Sequence, residues 1–193
     1  MKLAVIVGST RPNRISLKQA KWVLKTAQSK DGIQAELIDL ADYPLPFLNE
    51  PISPRYNPNR KIEPAVKKWL DAVSDYDAYV FVTPEYNHSI PGVLKNALDF
   101  ITSELHRKPS TIVSHGTVGG ARAAMHLKEI LSESRSVVIP NAVAFIGLND
   151  AVDEDGNLSP DVKSNPYGPQ AALDAALDEL QWYSDALSKA RNQ

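Results

Sequence analysis

The chain has 193 residues, 43% of them hydrophobic and 23% charged, with a formal net charge of −2 and no cysteine. That length suits one core of ordinary size, so a single domain over 1–193 is expected. The near-neutral, interspersed charge gives no field to recruit nucleic acid or an anionic membrane. Disulfide frameworks, thiolate nucleophiles and cysteine-ligated metals are excluded, and any redox chemistry must come from a bound cofactor.

Leu3 to Val7 is a continuous apolar, β-branched run that stops at Gly8, the pattern of a strand covered on both faces in a parallel sheet. It is shorter than a signal core of about 7 residues or a membrane span of about 20, which predicts a cytoplasmic protein with no membrane partner. Leu17, Ala20, Leu24 and Ala27 then fall on one helical face. Ile33 to Leu37 alternates apolar with polar, as an edge strand would. Ala41 to Arg60, with five prolines, predicts a rigid irregular excursion. Ile62, Val66, Trp69 and Val73 make a second helical stripe, and Tyr79 to Val82 a second buried strand. Leu94, Ala97, Leu98 and Ile101 follow as a helix, Thr111 to Val113 as a strand, and Ala124, Leu127 and Leu131 as a helix. Val143 to Ile146 reads as the last strand, with Val137 to Ile139 an extension of it. Asn149 to Pro169 is acidic and turn-rich, which predicts a surface loop, and Leu173, Leu177, Leu180 and Leu187 close the series with a helix.

Strand and helix thus alternate five times, which implies an α/β three-layer sandwich around a five-stranded parallel sheet. With the second strand at an edge, the order 2-1-3-4-5 fits, and ligands are expected beyond the carboxyl ends of the strands, beside strand one. Three loops lie there. "GSTRPNRIS", Gly8 to Ser16, opens a helix whose first N–H groups and dipole suit an anion. Ser9, Thr10 and Ser16 add hydroxyls, and Arg11 and Arg14 add guanidinium forks suited to phosphate; the same residues also fit an N-cap with solvated arginines. The loop lacks the P-loop lysine and the G-x-G-x-x-G spacing. "TPEYNHSIPGVLKNALDF", Thr83 to Phe100, offers the flat face of Tyr86 and the donors and acceptors of Asn87, with Ser89 placed to cap the next helix. "SHGTVGGARAAMHLK", Ser114 to Lys128, has three glycines that allow close backbone approach to a planar ligand and aim N–H groups at developing negative charge.

Together these three motifs resemble the NAD(P)H-dependent FMN reductase family of flavodoxin-like proteins, which includes quinone, azo-dye and chromate reductases; the likeness covers the first three quarters of the chain. The resemblance implies bound FMN and NAD(P)H as hydride donor. It implies that Ser9, Arg11, Arg14 and Ser16 hold the FMN phosphate and that Pro84, Glu85, Tyr86 and Asn87 border the isoalloxazine. The stretch from Ser114 to Gly120, with His115, Gly116 and Gly119, would pack along the pyrimidine edge. His88 and His115 stand where the family often has tyrosine.

The four histidines show no metal-ligand spacing, and there is no G-x-S-x-G elbow. Flavin hydride transfer needs no protein base, so no catalytic side chain is expected and Glu85 is assigned to positioning. An electron carrier of the flavodoxin type and a flavin-dependent regulatory binder remain as alternatives. Carriers of that kind usually dock through a strongly acidic face, whereas this chain is nearly balanced. The partner expected is a small-molecule electron acceptor. Tyr43, Phe47, Leu48 and Tyr56, with the helix opened by "PGVLKNALDF", suggest a dimer interface, and the resemblance implies a homodimer or homotetramer.

Overall fold

The computed structural model describes residues 1–148 and 150–191. The strands are β1 (Lys2–Val7), β2 (Gln34–Asp39), β3 (Ala78–Pro84), β4 (Pro109–Gly116), β5 (Val137–Val138) and β6 (Val143–Ile146). The helices are α1 (Ile15–Gln28), α2 (Pro64–Ser74), α3 (Gly92–Asp99), α4 (Ala121–Glu133), α5 (Pro160–Lys163) and α6 (Pro169–Arg191). All strand pairs are parallel, in the order β2-β1-β3-β4-β5, with β6 also on β4.

The fifth strand is in two pieces. Ser110 faces Val138 and Val113 faces Val143, so β4 advances three residues while the outer strand advances five. The two extra residues loop out beside Pro140, which has no N–H to give the ladder. Thr111 Oγ1 donates to the Asn141 carbonyl at 2.5 Å and ties the loop down. The extension read from Val137 to Ile139 is therefore a separate short strand on the same neighbour.

Alternate side chains of the central strands feed two cores. On one face Val5, Val80, Val113 and Phe145 pack beneath α1 and α6. Trp22 of α1 stands edge-on to Phe145 at 5.3 Å, and its indole N–H donates to Gln170 of α6 at 3.0 Å. On the other face Ile6, Tyr79, Phe81 and Ile112 pack beneath α2, α3 and α4. There the indole N–H of fully buried Trp69 reaches the Ala97 carbonyl at 2.9 Å, so a large apolar surface is buried with its one polar group satisfied.

Helix starts depart from the sequence reading where proline decides. Pro64 opens α2 with its φ already helical, and Ile62 lies outside the helix and is exposed. Pro91, not Ser89, is the N-cap of α3, because Ser89 closes a hairpin turn with Tyr86. The helix ends at Asp99, and Ile101 is buried just beyond it.

The proline-rich excursion is held by Asn96 of α3, which donates from Nδ2 to the Pro46 carbonyl at 2.8 Å and accepts the Leu48 N–H at 3.1 Å. Of its four candidate interface residues, Tyr43 and Leu48 turn inward onto the core, Tyr43 against Trp69 at 5.5 Å. Phe47 and Tyr56 are 85% and 75% exposed. The acidic stretch is not wholly a surface loop: Ala151, Val152 and Leu158 are buried in the α1–α6 core, and Pro160–Lys163 is helical. Asn149 lies outside the described residues.

Gly8 follows β1 where the chain passes closest to its neighbours: its N–H donates to the Val82 carbonyl at 2.8 Å, and a Cβ there would lie 2.9 Å from Leu94 Cδ2 and 3.0 Å from the Val82 oxygen. The carbonyl belongs to the sheet and cannot move aside. Gly8→Ala is expected to lower stability by about 1 to 3 kcal/mol, read from urea unfolding midpoints.

Candidate functional site

Parallel strands place every β-to-α loop at the same edge of the sheet, and the order reverses between β1 and β3, which opens a crevice there. The loops after β1, β3 and β4 meet at this crevice in a cleft of roughly 250 Å³. Arg11, Arg14, Pro84, Tyr86, His115 and Gly116 line it, and Glu85 joins them.

Ser9 and Ser16 sit beneath the cleft and are fully buried. Neither is an N-cap: α1 begins after Arg14, whose side chain makes no capping bond, so the first N–H groups of α1 have no side-chain partner. Each serine is braced instead by one of the other two loops. Ser9 Oγ lies 2.9 Å from the Tyr86 hydroxyl, and Ser16 Oγ lies 3.0 Å from His115 Nε2. The Arg11 guanidinium stacks over the Tyr86 ring at 5.2 Å while remaining exposed.

Arg14 is not solvated. Its guanidinium pairs with Asp39 at the end of β2, with both side chains largely buried, and it also reaches the Arg11 carbonyl at 3.4 Å. Asp39 was not singled out from the sequence. Its only local signal is its position at the carboxyl end of an edge strand beside the crevice.

The turn after β3 is a two-residue hairpin in which Asn87 and His88 both have positive φ, 49° and 67°. Tyr86 and Ser89 exchange both backbone hydrogen bonds at 2.9 and 3.0 Å. The turn is clamped to α4 at two points. Glu85 accepts from the Arg122 backbone N–H at 3.1 Å and from Arg122 Nε at 2.7 Å, and Ser89 Oγ lies 3.1 Å from His126 Nδ1. Arg122 and His126 are four apart on one helix face, a spacing that matches Glu85 and Ser89 along the turn. The helix needs this help, because its N-cap is Gly120 in the left-handed region, which has no side chain to cap with. Any other residue there would set a Cβ 2.9 Å from the His115 backbone. The hydrogen bonds from Arg122 hold the Glu85 carboxyl below the usual carboxylate range, against the opposing effect of burial.

The glycine turn closes through Gly119 N–H to the Gly116 carbonyl at 2.9 Å and Ser114 Oγ to the Gly119 carbonyl at 2.7 Å. The N–H groups of Thr117, Val118 and Gly120 are not used in closing it. Ser114 and Gly119 thus shape the turn without lining the cleft, and Asn87 is exposed at the hairpin tip outside it. Thr10 lines a separate pocket beside Tyr43 and Asn96, and the other sequence-derived site residues meet at the cleft or directly under it.

Among the described residues, three of the five buried side-chain nitrogen and oxygen atoms without a protein partner belong to the first two turns of α1 and its cap: Arg14 Nε and both amide atoms of Gln19. The orphaned Arg14 Nε–H, an uncapped helix N-terminus, the exposed Arg11 guanidinium and two braced hydroxyls fit a phosphate ester. The hairpin and glycine turn present flat, close-approach edges suited to a heterocycle. Fold and site together define a flavodoxin-like protein whose cleft suits a flavin mononucleotide.

The comparisons agree. Residues 1–149 match the NADPH-dependent FMN reductase family, and the chain belongs to it. It is 36% identical over 165 residues to an NAD(P)H-dependent FMN reductase, ntnL, of a Nectria species, covering 78% of this chain and 82% of that one. It is 35% identical to an NADPH azoreductase of a Bacillus strain, covering 100% of this chain and 98% of the relative. Among solved structures it resembles FerB, a flavoenzyme NAD(P)H:(acceptor) oxidoreductase of Paracoccus denitrificans. That likeness has a TM-score of 0.73 at 27% identity and covers 94% of this chain and 98% of FerB.

His115 is buried, and desolvation pushes its imidazolium from 6.5 down to about 4. The folded state therefore keeps it neutral while the unfolded chain takes up the proton first. Its contribution is full above pH 6.5 and is lost as pH falls toward 4, which amounts to roughly 3 kcal/mol. Urea unfolding of the wild type is expected to show this loss between pH 7 and 4.5, with His115→Gln flattening the dependence by a comparable amount.

Proposed function

We propose that the chain is an FMN-dependent oxidoreductase that passes hydride from NAD(P)H to a small-molecule acceptor such as free flavin, a quinone or an azo compound. The observation that carries this reading is the meeting of an anion-suited helix start, a heterocycle-suited hairpin and a glycine turn in one cleft at the carboxyl ends of β1, β3 and β4. When bound, FMN supplies the two-electron chemistry that no side chain here can.

The chain supplies binding and orientation. Arg11, Ser9, Ser16 and the first N–H groups of α1 would hold the phosphate, with Arg14 contributing its orphaned Nε while its charge stays balanced by Asp39. Pro84, Glu85 and Tyr86 would border the ring, with Asn87 at the exposed hairpin tip beyond the cleft. The Glu85 contribution is its backbone and the rigidity its carboxylate gives the hairpin through Arg122. The glycine turn from Ser114 through His115, Gly116 and Gly119 would run along the pyrimidine edge, with the N–H groups of Thr117, Val118 and Gly120 available to negative charge there. The acceptor and NAD(P)H would use the same open ring face in turn, so no protein group serves as acid or base.

Two further parts belong to this reading. Phe47, Tyr56, Ile52 on the excursion and Val93 on α3 are exposed apolar groups, and their joint burial in a homodimer or homotetramer would complete the wall of the cleft. No helix among the described residues is long and apolar enough to cross a membrane, and a cytoplasmic site of action fits NAD(P)H as donor.

The purified protein is expected to be yellow with flavin absorption, to bleach rapidly with NADPH and to turn over with a quinone. A colourless, folded protein that refuses added FMN would sink the proposal, and bleaching without turnover would favour an electron carrier. At residue level, Arg11→Ala should raise the Kd for FMN about tenfold with an unchanged circular dichroism spectrum, since it removes a charged hydrogen-bond donor from an exposed position. Arg14→Ala should instead cost stability, about 3 kcal/mol, because it leaves Asp39 charged and unpaired.

A further inference from the structure

Ser16 and His115 are 99 positions apart in the chain, yet their side chains meet at 3.0 Å with both residues buried. A serine hydroxyl has one hydrogen and two lone pairs. If His115 Nε2 accepts, the Ser16 hydrogen points at the ring and only lone pairs face the anion site above. If Nε2 carries the proton, it donates to Ser16 Oγ and leaves the hydroxyl hydrogen free. Burial keeps the imidazole neutral, so it holds one hydrogen and these two arrangements are the choice.

The surroundings select between them. Arg11 and Arg14 in the cleft, and the uncapped start of α1 of which Ser16 is the second residue, mark this corner as the place of an anion, which needs hydrogens and repels lone pairs. His115 itself lines the cleft, and its Nδ1 is not among the buried unpartnered atoms, so that nitrogen is left as an accessible acceptor in the second arrangement. The other end of the loop repeats the device: Ser9 Oγ meets the Tyr86 hydroxyl at 2.9 Å, and that phenol can donate in the same sense.

We propose that His115 is a positioning residue for the cofactor phosphate: it donates from Nε2–H to Ser16 Oγ and so turns the Ser16 hydrogen toward the anion. The inference rests on the FMN reading above and adds to it how the strand that borders the ring sets the donor direction of the phosphate loop. His115 touches the phosphate only through Ser16.

The test is titration of apoprotein with FMN and with riboflavin, which lacks the phosphate, for the wild type, His115→Gln, His115→Asn, Ser16→Ala and the Ser16→Ala/His115→Asn double variant. A glutamine amide reaches the Nε2 position and an asparagine amide does not, so both are polar replacements of which only one keeps the donor. His115→Asn should weaken FMN about tenfold and leave riboflavin within about twofold, whereas His115→Gln should stay near the wild type. In the double variant FMN should bind no more weakly than in Ser16→Ala. Equal weakening of both flavins by His115→Asn, or additive losses in the double variant, would overturn the inference while leaving the FMN reading intact. Wild-type protein that binds neither flavin would overturn both.

Discussion

The hydrogen bond from the Gly8 N–H to the Val82 carbonyl carries the β1–β3 ladder one step past β1 and fixes where two loops leave the sheet. One loop runs directly into α1, and the other turns back as the Tyr86–Ser89 hairpin. Because a side chain at position 8 would strike both Leu94 and that carbonyl, the two loops can be this close only with glycine between them. The serine–tyrosine brace is a consequence of that closeness, since Ser9 is the next residue and Tyr86 stands four beyond Val82. The β4 loop joins from the other side of β3 by the same parallel registry, with Pro84 beside His115.

Charge in the cleft is arranged in pairs that hold backbone in place. Arg14 with Asp39 links the start of α1 to the end of β2, and Arg122 with Glu85 links the start of α4 to the hairpin. Both pairs are largely shielded on the carboxylate side, so removing either partner costs far more than an exposed surface pair would. Arg11, exposed and stacked on Tyr86, has no carboxylate partner among the described residues. The site therefore has a frame of paired charges with one unpaired cation at its mouth.

The alternation of strands with amphipathic helices was legible in the sequence because both signals are local and periodic: four continuous apolar runs, one alternating run and five apolar stripes suffice to order the sheet. The three site loops were legible for the same reason, since they follow strands and hold glycine, serine and arginine. The pairings that give them shape were not. Arg14 meets Asp39 across 25 positions, Glu85 meets Arg122 across 37, and Ser16 meets His115 across 99. No spacing rule reaches that far. Ser89 looked like a cap because it precedes a helix, but a hairpin with two left-handed residues had already engaged it. The buried part of the acidic stretch was hidden because Val152 and Leu158 are held together by an isolated bridge and follow no period.

The broken outer strand has a bearing on how copies of the chain meet. A long regular border would offer a row of free N–H and C=O groups on which another chain could template, but here Pro140 and the looped residues interrupt the row after two residues of β5. The opposite border, β2, shows Gln34 and Glu36 outward, which discourages apolar stacking. A margin broken into two short pieces on one side and polar side chains on the other make strand addition a poor route for copies of the chain to meet, which disfavours fibrous growth.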